Sequence, residues 1–191
     1  VAQVQVNPKA GVTFPAALRA FMRQDPNVLM VGEMRDFETA AVGIAAALTG
    51  QLVLTTLHSN DAPRTIERLV ELGIDRHAIA SALTIVLGQR LVRKLCEHCR
   101  KAVLGRPAGT FSARGCPVCA GTGYLGRVGV FEALVVNDLL RDAIANGAST
   151  VQIAALGRDG GYRPMFEDGL RAVSEGRTTL EELRRVVAAE T

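Results

Sequence analysis

Asp25-Pro26-Asn27-Val28-Leu29-Met30-Val31-Gly32-Glu33-Met34-Arg35-Asp36 sets a short apolar run between a proline and a glycine. Four consecutive apolar residues bounded by breakers read as a strand buried on both faces, the pattern of a parallel sheet. A second run, Leu52-Val53-Leu54-Thr55-Thr56-Leu57, follows Gly50. Between them Phe37 to Leu48 is rich in alanine and predicts a closely packed helix, with Asp36 as its N-cap and Gly50 just past its end. Strand, helix, strand is a right-handed crossover unit, and such units collect ligands at the carboxyl ends of their strands. The predicted fold class is therefore α/β.

Before this unit, Phe14 or Pro15 to Arg23 reads as a helix that stops before Asp25-Pro26. Asp61 to Leu72 reads as another, with an acidic cap, Pro63 in the first turn and Ile66, Leu69 and Val70 at helical spacing. His77 to Leu95 is predicted to be one long helix with a wide apolar face. Val128 to Val136 reads as a strand, and three or four short amphipathic helices follow. The last of these begins at Thr178 or Thr179, each with a glutamate three residues on.

The strand ends carry titratable groups. Glu33 stands just past the first strand, where nucleotide-hydrolysing α/β proteins place the carboxylate that binds magnesium or orients water. Gly32 lets backbone approach a phosphate. The second strand runs into His58, which is placed to sense a phosphate or to bridge to Glu33. Each also has a plain structural reading, Glu33 as a helix-start residue and His58 as the cap of a strand–helix turn.

The chain has four cysteines, in two Cys-x-x-Cys pairs: Cys96 with Cys99, and Cys116 with Cys119, separated by sixteen residues. Two short turns that each offer two thiolates suit a tetrahedral zinc, and a closed four-thiolate site holds structure and leaves no open position for substrate. Two disulfides or a thioredoxin-like redox pair are the competing uses. No secretory leader is read ahead of Val1, and a chain of 191 residues needs no covalent staples, which favours zinc. His98, between two of the cysteines, reads as a solvent-facing turn residue.

Composition sets the remaining bounds. Net charge is +3 and the apolar fraction 48%, ordinary values for a globular protein, and the charge argues against nucleic acid as a partner. A zinc-ribbon nucleic-acid binder is further disfavoured by the absence of tryptophan and the presence of only two tyrosines. No apolar run approaches the roughly 20 residues needed to span a bilayer. Arg90, Arg93, Lys94, Arg100 and Lys101 cluster near the first cysteine pair, either as a solvated helix end or as a site for an anionic partner.

Taken together these motifs resemble one family. Leu18-Arg19 through Arg23-Gln24-Asp25-Pro26 to Gly32-Glu33-Met34-Arg35-Asp36, with Glu38-Thr39-Ala40, is similar to the Walker B region of the type II secretion and type IV pilus assembly ATPases. Leu48-Thr49-Gly50 through Thr55-Thr56-Leu57-His58-Ser59-Asn60-Asp61 resembles their His box. Gln89-Arg90-Leu91-Val92-Arg93-Lys94-Leu95-Cys96 with both cysteine pairs resembles their cysteine-rich subdomain, and Gly123-Tyr124, Gly126-Arg127, Gly129 and Glu132 continue the match.

The resemblance implies a RecA-like P-loop NTPase core working as a homo-hexamer, cytoplasmic and peripheral at the bacterial inner membrane. Its partners would be an inner-membrane platform and the membrane-anchored components of a secretion or pilus machine. It implies Glu33 and His58 as catalytic residues, Arg19, Arg23 and Gly32 at the nucleotide, zinc on the four cysteines, and ATP with magnesium in the full-length protein. The cysteines disfavour the pilus-retraction branch. Residues 1–95 would be part of the motor core with its Walker B and His boxes, 96–127 the zinc subdomain, and 128–191 a strand and helical subdomain.

Three departures stand out. Gln51 and Asn27 replace the family's usual histidine and aspartate, and no Gly-x-x-x-x-Gly-Lys-Ser/Thr occurs, the only lysines being Lys9, Lys94 and Lys101. Without P-loop amides and lysine the β- and γ-phosphates lose their main cradle. The chain is expected to be the carboxy-terminal part of a longer ATPase and inactive alone. The competing expectation is a non-catalytic, zinc-organised module that docks the same platform.

Overall fold

The computed structural model describes residues 1–103 and 110–187. They form two compact units interleaved in sequence: residues 1–86 with 135–160, and residues 87–134 with those from 161 onward. These units cross the boundaries at 95 and 127 suggested by the motifs.

The first unit is built on the expected crossover. Strand β1 (Val28–Val31) pairs in parallel with β2 (Leu52–Thr55), Val28 opposite Leu52 and Val31 opposite Thr55. Helix α2 (Phe37–Leu48) joins them, and the Asp36 carboxylate caps it by accepting the Thr39 N–H at 2.8 Å. Its small residues allow close approach: a Cβ on Gly43 would lie 2.1 Å from the Met34 methyl, so Met34 seats against bare helix backbone. Helix α1 (Phe14–Met22) precedes β1, and α3 (Ala62–Glu71), capped by Asp61, follows β2. Helices α4 (Arg76–Ala82), α5 (Asp138–Ala145) and α6 (Thr150–Asp159) complete the unit around Ile66, Ile79, Leu140, Ile144 and Ile153.

Two expectations fail here. The strands are not buried on both faces. Leu29 and Val31 are core, but Val28 and Met30 are 55% and 80% exposed: burial alternates along β1, so among the described residues only one face of the pair is covered. Nor is residues 77–95 one helix. The helix ends at Ala82, Leu83 turns to extended backbone, and Ile85–Leu95 forms strand β3. The β-branched Ile85, Val86 and Val92 favour that outcome.

In the second unit β3 pairs with β6 (Tyr124–Val135). Gly88 lies against Glu132, and the Cys96 N–H donates to the Gly123 carbonyl, so the two strands run antiparallel. A Cβ on Gly88 would stand 2.5 Å from Glu132 Oε1, which is why a glycine interrupts an otherwise bulky strand. Glu132 is buried and accepts bonds from the Tyr162 hydroxyl and the Met165 N–H. Helices α7 (Met165–Ser174) and α8 (Leu180–Val186) close a core of Val92, Val130, Met165, Ala172, Val173 and Leu183. Strands β4 (Lys101–Ala102) and β5 (Phe111–Ser112) pair antiparallel in the cysteine region.

The basic cluster is therefore not a helix end. Arg93 sits on β3 over the Tyr124 ring, 4.2 Å from its centroid, and pairs with Glu182. Lys94 pairs with Glu97, and Arg100 stacks on Phe111 while donating to the Gly176 carbonyl. Arg93, Lys94 and Arg100 thus have partners within this unit, on a strand and the turn after it.

Candidate functional site

The first candidate site lies where β1 and β2 end. The parallel ladder stops at Val31 and Thr55, and the chain beyond is held by Thr56. Its hydroxyl donates to the Gly32 carbonyl at 2.7 Å, and its own carbonyl accepts the Met34 N–H at 3.1 Å. Glu33 is thus fixed between two tethered neighbours. Its carboxylate meets two basic groups on one oxygen: Arg35 Nε is 2.5 Å from Oε2 and His58 Nε2 is 3.7 Å from it. Glu33 is partly sheltered at 24% exposure, while Arg35 and His58 are 70% and 86% exposed. Two solvent-exposed basic groups beside a partly sheltered carboxylate make a place where an anion and a water can be held together.

Gly32 adds room. A Cβ there would touch only the Phe14 ring, at 3.8 Å, and the backbone is not left-handed. Nothing inside this fold demands glycine at that position, so the open backbone is available to a ligand.

Other expected site residues lie apart. Arg19, in the last turn of α1, is paired with Glu38 in the first turn of α2 at 2.5 Å, both more than half exposed. Arg23 is the C-cap residue of α1 and solvent-exposed. Gln51 precedes β2, at the amino end of the parallel pair, with its amide oxygen 2.7 Å from the Thr49 hydroxyl. Asn27 lends its carbonyl to the Leu52 N–H at the same end. Both departures thus stand at the far end of the strands from Glu33. Sequence reasoning missed Arg35 and Thr56. A charged residue two past the strand glutamate was a visible signal for the first; the second needed the parallel register.

The second candidate site is the cysteine cluster. Sγ separations are 3.9 Å for Cys96–Cys116, 3.8 Å for Cys99–Cys119 and 3.7 Å for Cys116–Cys119, and all four sulfurs lie within 4.8 Å of one another. A zinc tetrahedron with Zn–S near 2.3 Å has edges of about 3.8 Å, whereas a disulfide needs about 2.05 Å. All four thiols are free, so the donor set and spacing fit a metal. His98, exposed beside the cluster, is outside the donor set.

Backbone geometry supports that reading. The Cys116 and Gly123 N–H groups both point at Cys119 Sγ at 3.2 Å. Burial pushes the Cys119 thiol up, but those two amides and the neighbouring thiols outweigh it and bring it down to about 6. Cys99 goes the other way, to about 11, chiefly through burial. The knuckle requires glycine at 115: φ is +100°, and a Cβ would stand 2.4 Å from the Gly121 carbonyl oxygen.

Residues 1–185 match the family described as Type II/IV secretion system protein. The chain belongs to that family. It is 48% identical over 196 aligned residues to the type IV pilus assembly ATPase PilB of Thermus thermophilus, covering 95% of this chain and 22% of that protein. It is 46% identical to the type II secretion system protein HxcR of Pseudomonas aeruginosa, covering 97% of this chain and 39% of that one. Among solved structures it is similar to the pilus retraction motor PilT with bound ADP, at a TM-score of 0.67, 30% identity, 91% of this chain and 43% of that one. This member of the type II/IV secretion family thus spans less than half the length of these relatives. Among its described residues no helix is long and apolar enough to cross a membrane.

Proposed function

We propose that this chain is the carboxy-terminal part of a hexameric, RecA-like ATPase that powers assembly of a type II secretion pseudopilus or a type IV pilus. One observation carries the reading: Glu33, fixed at the carboxyl edge of a parallel strand pair, shares one oxygen with His58 and Arg35 in a member of this family. Glu33 would orient the water that attacks the γ-phosphate, and His58 would respond to that phosphate from the neighbouring strand end. Gly32 would let backbone lie close to the nucleotide. Magnesium would neutralise charge on the phosphates.

Arg19 and Arg23 share a helix face by their four-residue spacing and would stabilise phosphate charge, from their own subunit or across a subunit boundary, once Arg19 leaves Glu38. The phosphate cradle is absent from this sequence and would be supplied by another part of the whole protein, so this chain alone would be inactive. Residues 1–95 would belong to the motor, 96–127 would be organised by one zinc on Cys96, Cys99, Cys116 and Cys119, and 128–191 would complete the subdomain beyond it. The assembly would work in the cytoplasm against an inner-membrane platform, with no nucleic acid. No observation favours the non-catalytic docking module.

The test is hydrolysis by the whole protein. Magnesium-dependent ATP turnover is expected, falling at least about tenfold in His58→Ala. Full turnover in that variant would remove His58 from the site, and a whole protein that binds ATP without ever hydrolysing it would remove the ATPase reading.

A further inference from the structure

The carboxylate proposed to act on water has to be held still, and α2 begins only after it, at Phe37. Glu33 lies on the short segment between β1 and α2, where no strand or helix ladder fixes the backbone. Two hydrogen bonds do that work instead, and both go to one residue of the neighbouring strand end. The Thr56 side chain takes the carbonyl before Glu33, at 2.7 Å, and the Thr56 main chain takes the amide after it, at 3.1 Å.

We propose that Thr56 is a positioning residue for Glu33, with its hydroxyl acting as the adjustable half of a backbone clamp. The inference rests on the assignment of Glu33 made above. Thr56 is solvent-exposed, so its hydroxyl and the Gly32 carbonyl could each be satisfied by water, and folding does not depend on their bond. What the bond supplies is orientation. Without it the 32–33 peptide can rotate about the remaining Met34–Thr56 bond, carrying the Glu33 side chain with it.

The carboxylate that the clamp carries is approached from one side. Arg35 and His58 both approach Glu33 at Oε2, and among the described residues no hydrogen bond goes to Oε1. Holding the backbone and one oxygen leaves Oε1 as the oxygen presented to water. A displacement of about 1 Å at such a group costs up to about 100-fold in rate.

The experiment compares Thr56→Val and Thr56→Ser in the whole protein. Valine keeps shape and removes the hydroxyl; serine keeps the hydroxyl. Steady-state ATP hydrolysis, nucleotide affinity and Tm are measured for each. The expected result is that Thr56→Val loses at least about fivefold in kcat with KM for ATP within about twofold and Tm unchanged, while Thr56→Ser stays within about twofold of the parent. Wild-type kcat in Thr56→Val would overturn the proposal. So would an equal loss in Thr56→Ser, or a loss confined to KM or tracking a lowered Tm. Glu33→Gln, assayed alongside, separates the two assignments. If it retains full turnover, the assignment of Glu33 falls and the clamp with it; if it is impaired while Thr56→Val is normal, only the clamp falls.

Discussion

Arg93 and Glu182, separated by 89 positions in sequence, are joined twice: the Arg93 N–H donates to Oε1 at 3.0 Å and its guanidinium to Oε2 at 2.7 Å. Arg185 completes the set with two further 2.7 Å bonds to the same buried carboxylate. Thr179 caps α8 alone, because the glutamate that would return the capping bond is spent on β3.

Glu182→Gln should therefore destabilise the second unit by about 2 kcal/mol, since two guanidinium groups lose their charged acceptor. Arg185 first, and then Arg93, hold the Glu182 carboxyl well below the usual range against the opposing effect of burial. A depressed folded-state value means the stabilisation is complete above the unfolded carboxylate value of about 4.3 and fades as pH falls below it. Thermal melts at neutral pH and near pH 3 should show the parent losing more stability on acidification than Glu182→Gln. Parallel losses would assign the acid sensitivity to other groups.

The cysteine cluster should hold about one zinc per chain. Its removal should loosen more than the knuckle, because the Leu95 N–H donates to the Arg177 carbonyl and Arg100 to the Gly176 carbonyl, each at 2.8 Å. Structural zinc contributes on the order of 10 kcal/mol in small modules. Cys96→Ser, or chelation, should raise amide exchange at 96–103 and also at 176–179. Metal analysis showing no zinc, with thiol counts near zero, would point to disulfides.

This chain alone should not bind ATP with micromolar affinity, since its sequence holds neither the P-loop glycines nor a P-loop lysine. Calorimetry is the measurement. A micromolar Kd would contradict this and point to a phosphate site that needs no P-loop.

How much of this was legible in the sequence follows from where each signal resides. The crossover unit was readable because caps and breakers are local: Asp36, Asp61 and the apolar run at 28–31 need no partner to be recognised. Residues 77–95 misled because the choice between helix and strand was made elsewhere. Gly88 faces Glu132, more than 40 positions away, and β3 exists because β6 pairs with it. Double-sided burial of β1 was an inference from an apolar run, and whether a layer covers each face of a strand is not written in the strand itself. At the site, Glu33 and His58 could be named from strand ends, whereas Thr56 became visible only when the parallel register set Thr55 opposite Val31.

Arg19→Ala and Arg23→Ala in the whole protein should lose ATPase activity without losing fold. The Arg19–Glu38 pair is exposed, and such pairs contribute about 0–1 kcal/mol. Mixing either variant with Glu33→Gln subunits tests where the arginines act. If they act across an interface, mixed rings should recover activity where an intact Glu33 meets intact arginines of a neighbour. No recovery at any ratio, in rings shown to exchange subunits, would place them within their own subunit or outside the site.

The most direct measurement of the central claim is the turnover of Glu33→Gln in the whole protein, taken together with its ATP affinity. A carboxylate that orients water acts in the transition state, so kcat should fall by about 100-fold or more while ATP binding stays within a few-fold of the parent. Wild-type turnover in Glu33→Gln would contradict the account and leave Glu33 as a residue that only leads into a helix.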